Sequence, residues 1–337
     1  MAMRPSWAAS VPGATGWAGS LTLNCPVASM LFSGIGWVIM RGGPWGVGPR
    51  FGNKDENTRI MQCIGKTRPP AATAPGPARG VLNQRLAARH VEHLRQAPPP
   101  ALAPWVEHFW YVGWELPESQ VEHQQTLPHP NVHLVLEGNQ ARIWGPHRQR
   151  FCKTLAGHGW VFGIKFRAAA FQPFWGRSME LLRDRSLAAA EVLGTADSLL
   201  EAGPWPGMAS MCERATAWLL AHLPAVDERV EWLNQLVERA AADPQLTRVQ
   251  DLAQRAGVSP RQLQRLFAHY VGVSPKWVIA RYRLHEALAL LQRGEAQPDA
   301  ELALRLGYFD QAHFVRDFQR MVGQPPAAYV RSQVARD

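Results

Sequence analysis

A chain of 337 residues suggests about two domains, and its 46% hydrophobic and 19% charged content marks it as globular, not disordered or fibrous. Four cysteines (Cys25, Cys63, Cys152 and Cys212) lie far apart with no CxxC pair, which argues against a disulfide framework or a cysteine zinc site and fits a reducing cytoplasm. The net charge of +9 points to an anionic partner, and the excess sits at the two ends: residues 1–80 hold eight basic and two acidic residues, residues 243–337 thirteen and nine.

Residues 1–80 do not read as a domain. No charged residue occurs from Pro5 to Met40, and glycines and prolines interrupt the stretch without helical or strand periodicity. Leu21 to Met40 is apolar, but Asn24, Pro26 and small-residue interruptions weaken it as a membrane span of about 20 apolar residues. Lys66 to Gly80 is rich in Pro, Ala and Gly and reads as a linker. The segment is expected to be a disordered extension, or one that follows from a start codon set too far upstream, with Val81 or Leu82 as the true initiator.

Texture changes from Ala101 to about Gly194. Trp105, Phe109, Trp110, Tyr111 and Trp114 crowd together, followed by the alternating runs Val132–Leu136 and Ala141–Trp144, with turns at Glu137-Gly138-Asn139 and Gly145-Pro146. Trp160–Phe166 reads as a further strand. Ala168–Leu182 and Ser186–Leu193 look helical. A β-rich domain over residues 98–200, a barrel or sandwich with helices, is the economical reading. Six histidines fall in it (His108, His123, His129, His133, His147 and His158), but His129 and His133 are separated by Pro130 and find no third ligand, so no metal is assigned. The tryptophans read as core more readily than as pocket lining. Met208–Leu223 and Glu228–Ala242 read as helices of a connector over residues 201–242.

The last 95 residues carry a duplication. Leu263 and Phe314, Arg265 and Arg316, Phe267 and Phe318, Gly272 and Gly323, and Pro275 and Pro326 are each 51 residues apart, which implies two copies of one supersecondary unit. In the first copy Thr247 with Gln250 forms a capping-box pattern, Gly257 breaks the helix, and Ser259, Pro260 and Gln262 open the next one. Leu263, Leu266, Phe267 and Tyr270 then face inward, leaving Arg261, Gln264, Arg265 and Ala268 outside. In the second copy Gly307 stops the first helix and Asp310 caps the second. Phe314, Phe318 and Met321 turn inward there, with Gln311, Ala312, Val315 and Arg316 outside. A long helix from Ser274-Pro275 to about Gln292 joins the copies. Short helix, glycine turn and second helix with Arg and Gln outward is helix-turn-helix geometry, and those side chains suit the guanine and adenine edges of the major groove.

Leu252-Ala253, Gly257-Val258-Ser259, Arg261, Leu263, Arg265-Leu266-Phe267, Gly272 and Ser274-Pro275 resemble the first half of the AraC/XylS-type regulator domain. Arg283-Leu284, Ala287 and Leu290-Leu291 match its linker helix, and Gly307 to Phe318 with Gly323, Pro326 and Tyr329 resembles its second-half signature. The resemblance covers about 90 residues and implies an α+β two-domain protein, with an all-α double helix-turn-helix over residues 243–335 whose recognition helices enter successive major grooves. Carried over by position, it implies groove contacts from Arg261, Gln262, Gln264 and Arg265, and from Gln311, Ala312, His313, Val315 and Arg316. Ala312 departs from a usual serine, Asp317 places a carboxylate beside the second DNA face, and Val330 stands where an arginine is common. Leu127 to Val135 and Gly163 to Arg167 resemble an N-terminal regulatory domain found ahead of such halves.

The expected function is that of a cytoplasmic, sequence-specific transcription regulator on double-stranded DNA, modulated through its N-terminal domain. RNA polymerase, a small-molecule effector and a second copy of the chain are candidate partners; no membrane partner, catalytic residue or cofactor is assigned. The alternatives are a DNA-binding half fused to a metal-dependent or alkyl-transfer enzyme, and a non-specific architectural DNA binder.

Overall fold

Val91–Gln96 (β1) and Val106–Glu115 (β2) open an antiparallel sheet in the computed structural model, which describes Leu82, residues 90–194, Leu199 and residues 205–334. The expected extension over 1–80, with Leu21–Met40 and the linker, lies outside those residues. Among the described residues no helix is long and apolar enough to cross a membrane. β1 precedes the expected start of the β-rich domain at residue 98.

Six further strands follow: Val121–Thr126 (β3), His133–Glu137 (β4), Gln140–Trp144 (β5), Phe151–Ala156 (β6), His158–Phe166 (β7) and Ser186–Ala188 (β8). They pair in the order β1-β2-β7-β4-β5-β8, with β3 and β6 as a separate two-stranded ribbon. The sheet is therefore open, with β1 and β8 at its edges, and is not the closed barrel that the sequence allowed. Alternation explains β4, where Leu134 and Leu136 are buried between more accessible His133, Val135 and Glu137. Central β7 is buried continuously from Val161 to Phe166.

Two expected helices are shorter than read. Ala168–Leu182 holds only a one-turn helix, Gln172–Trp175 (α1), and a 3-10 turn at Met179–Leu182, separated by the turn at Gly176. Ser186–Ala188 is strand, because it completes the edge beside β5: Leu187 faces Ile143, and Arg142 donates to the Ser186 carbonyl and hydroxyl at 3.2 and 3.0 Å. Helix begins only at Ala189–Leu193 (α2). Met208–Ala221 (α3) and Glu228–Ala242 (α4) form the connector.

The C-terminal helices are Val249–Arg255 (α5), Pro260–Tyr270 (α6), Pro275–Gln292 (α7), Ala300–Arg305 (α8), Gln311–Val322 (α9) and Pro326–Val334 (α10). Thr247 does not cap α5; Arg248 holds the N-cap position without a side-chain bond. The Thr247 methyl instead packs on Gly307, in the turn of the second unit.

Core packing does not follow the domain boundaries of the sequence. One apolar cluster runs from the sheet (Phe109, Leu134, Ile143, Phe162, Phe166) through α3 and α4 into α6 (Leu263, Phe267) and the start of α7 (Val278, Ile279). A second holds the rest of α7 from Leu284 to Leu291 with α8, α9 and Tyr329, and takes in Leu82 and Leu127. Helix α7 thus belongs to both cores, its first half to one and its second half to the other.

Candidate nucleic-acid interface

Each recognition helix starts on a side-chain cap that fixes its first turn. Ser259 Oγ accepts from the Gln262 backbone N–H at 3.2 Å, and Gln262 Oε1 accepts from the Ser259 N–H at 2.9 Å, a reciprocal capping box at the mouth of α6. Asp310 Oδ1 accepts from the His313 N–H at 2.6 Å at the mouth of α9. Inside the caps, neither first turn carries an acidic residue.

The inward faces are dry: Leu263, Phe267, Phe314 and Phe318 are fully buried. The helical period therefore forces Arg261, Gln264 and Arg265 outward on α6, and Gln311, Ala312, His313 and Arg316 outward on α9, where all seven are exposed. Arg261, Gln262 and Arg265 line a shallow concavity with Ser259. Two expected contacts sit differently. Gln262 is half-buried with its oxygen engaged in the cap, and Val315 is half-buried against the second core. Asp317 is held by Arg320 at 2.9 Å and lies 3.6 Å from His313 Nε2, so its charge is answered within the helix. Gln311 Nε2 donates to the Pro298 carbonyl at 3.2 Å.

The C-terminal ends of both recognition helices are gripped by the β-rich module, at positions that the duplication makes equivalent. After α6, Gly272 (φ +82) lies against the Met179 carbonyl and Pro146, where a Cβ would meet them at 2.7 and 2.9 Å, and Arg183 donates to its carbonyl at 3.3 Å. After α9, Gly323 (φ +91) makes room for the Arg150 guanidinium, which donates to the Val322 carbonyl at 2.8 Å. Arginines at helix C-termini meet both the open carbonyls and the negative end of the dipole. No residue pattern within either domain announces this; the signal was the matched glycine pair, which reads as turn chemistry alone.

A third contact joins the module to α7. Arg281, 1% exposed, donates its Nε to the Pro128 carbonyl, and its Nη2 lies 2.5 Å from His129 Nδ1. Burial pulls its pKa down to about 10. Burial, with Arg281 and Lys165 nearby, holds His129 well below the usual imidazole value, and burial with Lys165 brings His133 down to about 3. Both imidazoles are therefore neutral at pH 7, and His129 Nδ1 can accept a hydrogen bond from the Arg281 guanidinium. At the other end of this polar seam a bulge in β2 turns Glu107 onto Lys165 (2.7 Å) and Asn131 (3.1 Å). His129 is engaged by Arg281 and His133 Nδ1 accepts from Trp110 Nε1 at 3.2 Å, and no group of three His, Cys, Asp or Glu side chains among the described residues could hold a metal ion.

A family model described as a helix-turn-helix domain matches residues 252–332. The C-terminal part of this chain is a helix-turn-helix domain of the AraC/XylS type. A second model, described as a domain of unknown function (DUF6597), matches residues 94–188, which span the open sheet. YkgA of Escherichia coli (strain K12), by name an HTH-type transcriptional regulator, is 30% identical over 104 residues, 31% of this chain and 41% of its own. GlxA of Rhizobium meliloti (strain 1021), an HTH-type transcriptional regulator, is 36% identical over 80 residues, 24% of each chain. The chain thus spans less than half the length of these relatives. Among solved structures, ToxT from Vibrio cholerae aligns at a TM-score of 0.35 and 10% identity, covering 72% of this chain and 98% of that one.

Proposed function

We propose that the protein is a sequence-specific regulator of transcription that binds double-stranded DNA through α6 and α9 in two successive major grooves, with its β-rich module setting how the two helices are presented. The observation that carries this reading is the repeated outward set: two capped helices of one duplicated unit, each exposing Arg and Gln above a fully buried aromatic face. Arg261, Gln264 and Arg265 supply contacts in one groove and Gln311, Ala312, His313 and Arg316 in the next. Gln262 and Val315 lie at the margins, one mainly a cap and the other mainly packing. The arginine grips at Gly272 and Gly323 support modulation through the module, since a shift in it would move both helix ends. An effector, a second copy of the chain or RNA polymerase would act through that route, and a cytoplasmic location follows from the need to reach DNA.

An alkyl-transfer enzyme reading needs a reactive thiolate. The buried Cys212 thiol is pushed up to about 12 by burial and Glu213, which is the wrong direction for a nucleophile.

Selection of binding sites from random duplex DNA by the purified full chain tests the proposal. The wild type should enrich two boxes about 10 bp apart, and an Arg265→Ala/Arg316→Ala variant should lose base preference at one position in each box, at a cost of about 1–3 kcal/mol per contact. Enrichment of no motif by the wild type would leave only a non-specific DNA binder. Equal weakening on all sequences would make the two arginines phosphate contacts.

A further inference from the structure

The two helix-turn-helix units differ by one residue, and the structure shows where. Through the first helix and into the turn the units match at an offset of 50: the Gly257 N–H bonds the Gln254 carbonyl as Gly307 bonds Leu304, and Val258 bonds Ala253 as Tyr308 bonds Ala303, at 3.1, 2.8, 3.1 and 2.9 Å. From the caps onward the offset is 51, with Ser259 matching Asp310 and Leu263 matching Phe314. The extra residue is Phe309.

Phe309 is not used by the fold. A hydrophobic residue just before an N-cap commonly folds back onto the fourth helical residue, here Phe314. Tyr308 takes that place instead, its ring 5.4 Å from that of Phe314 and its side chain 3% exposed, and Phe309 is left 89% exposed. Its backbone is nonetheless fixed, because the next residue is the Asp310 cap. It stands beside Gln311, Ala312 and His313, at the end of a recognition helix whose N-terminal residues meet base edges.

We propose that Phe309 is a specificity-determining residue of the second unit, which reads the C5-methyl group of a thymine in the major groove. The inference rests on the DNA-binding reading above. A phenyl ring offers neither the N–H nor the charge that a phosphate contact requires, and the thymine methyl is the apolar feature of the major-groove edge that phenylalanine contacts. The first unit, without the inserted residue, has only half-buried Val258 before its cap, so the two units read different bases from one framework.

The test replaces one methyl group. Full-length wild type, Phe309→Ala and Phe309→Leu proteins are compared on the site selected by the wild type, with each thymine of the second box changed in turn to deoxyuridine. At one position the wild type should lose about fourfold in affinity, as expected for one buried methyl or methylene. Phe309→Ala should bind the thymine and uracil forms equally, and Phe309→Leu should keep part of the difference. Melting midpoints of the variants should equal that of the wild type, because the side chain is exposed. The proposal is overturned if Phe309→Ala keeps the methyl dependence, if it binds as the wild type does on every site, or if it weakens all sequences alike, which would mark a backbone contact. A wild type that selects no motif would instead remove the DNA-reading proposal on which this one stands.

Discussion

The two-core packing predicts that the second unit can be melted without the first. Phe318 lies in the second core, fully buried, with rings of Phe314 and Tyr329 at 5.7 and 6.0 Å. Phe267 occupies the matching position in the first. Truncation of a buried Phe to Ala costs about 3–5 kcal/mol through lost transfer energy and the cavity left behind. A kcal/mol moves the midpoint of a 60–100-residue domain by roughly 4–8 °C. The probe is built in: the sequence has no tryptophan after Trp277, and the second core contains none. Phe318→Ala should therefore lower the midpoint of part of the helical far-UV signal by more than 10 °C, as roughly follows from those figures, while tryptophan emission keeps the wild-type midpoint. Phe267→Ala should lower the emission midpoint. Emission and ellipticity falling together in Phe318→Ala would refute the argument and make α7 a rigid strut that fuses the cores.

Two further outcomes follow from the contacts between the module and the helices. Arg150→Ala leaves the Val322 carbonyl to solvent and should cost the second unit about 1 kcal/mol, the scale of a partly exposed bond to a charged group. Affinity for a two-box site should fall while the selected bases stay the same; altered base choice would mean that Arg150 itself meets DNA. Stability should also depend on pH through His129, which faces Arg281, Lys165 and His285, and through His133, which faces Lys165, His108, Glu107 and His147. Their folded pKa values lie below the unfolded value of about 6.5, so the unfolded chain binds more protons in between. Their contribution is complete above about pH 6.5 and is lost as the pH falls below it, so the protein should be less stable at pH 5.5 than at pH 7. Denaturation midpoints at the two pH values measure this, and a His129→Gln/His133→Gln variant should flatten the difference; an equal difference in that variant would assign it elsewhere.

How much was legible in the sequence depended on the range of the interaction. Caps at Ser259, Asp310 and Ser274 and the inward stripes of α6 and α9 are written within a few residues, and the structure places them as read. Ser186–Ala188 was misread as helix because a three-residue edge strand is specified by its partner, β5, some 44 residues earlier. Thr247 looked like a cap because its neighbours fit the pattern, while its methyl was needed against Gly307. Phe309 was hidden by the regularity of the 51-residue offset, which holds only from the helix caps onward.

The same reasoning explains why the module's grip on the helices could not be read. Arg150, Arg183 and Arg281 are ordinary surface residues until the partner carbonyls of Val322, Gly272 and Pro128 arrive from far along the chain. Yet their placement follows a physical rule. On the proposed reading the N-terminal ends and outer faces of the recognition helices go to DNA, so the surfaces left for a second domain are their C-terminal ends, where the carbonyls and the dipole ask for cations. Arg281 then falls between the last α7 residue of the first core, Ile279, and the first of the second, Leu284. A buried cation at that seam contributes little to stability beyond its bonds, but it ties the one helix shared by both units to the Pro128-His129 turn of the module. Arg281 thus joins Arg150 and Arg183 as a third arginine contact between the module and the helices.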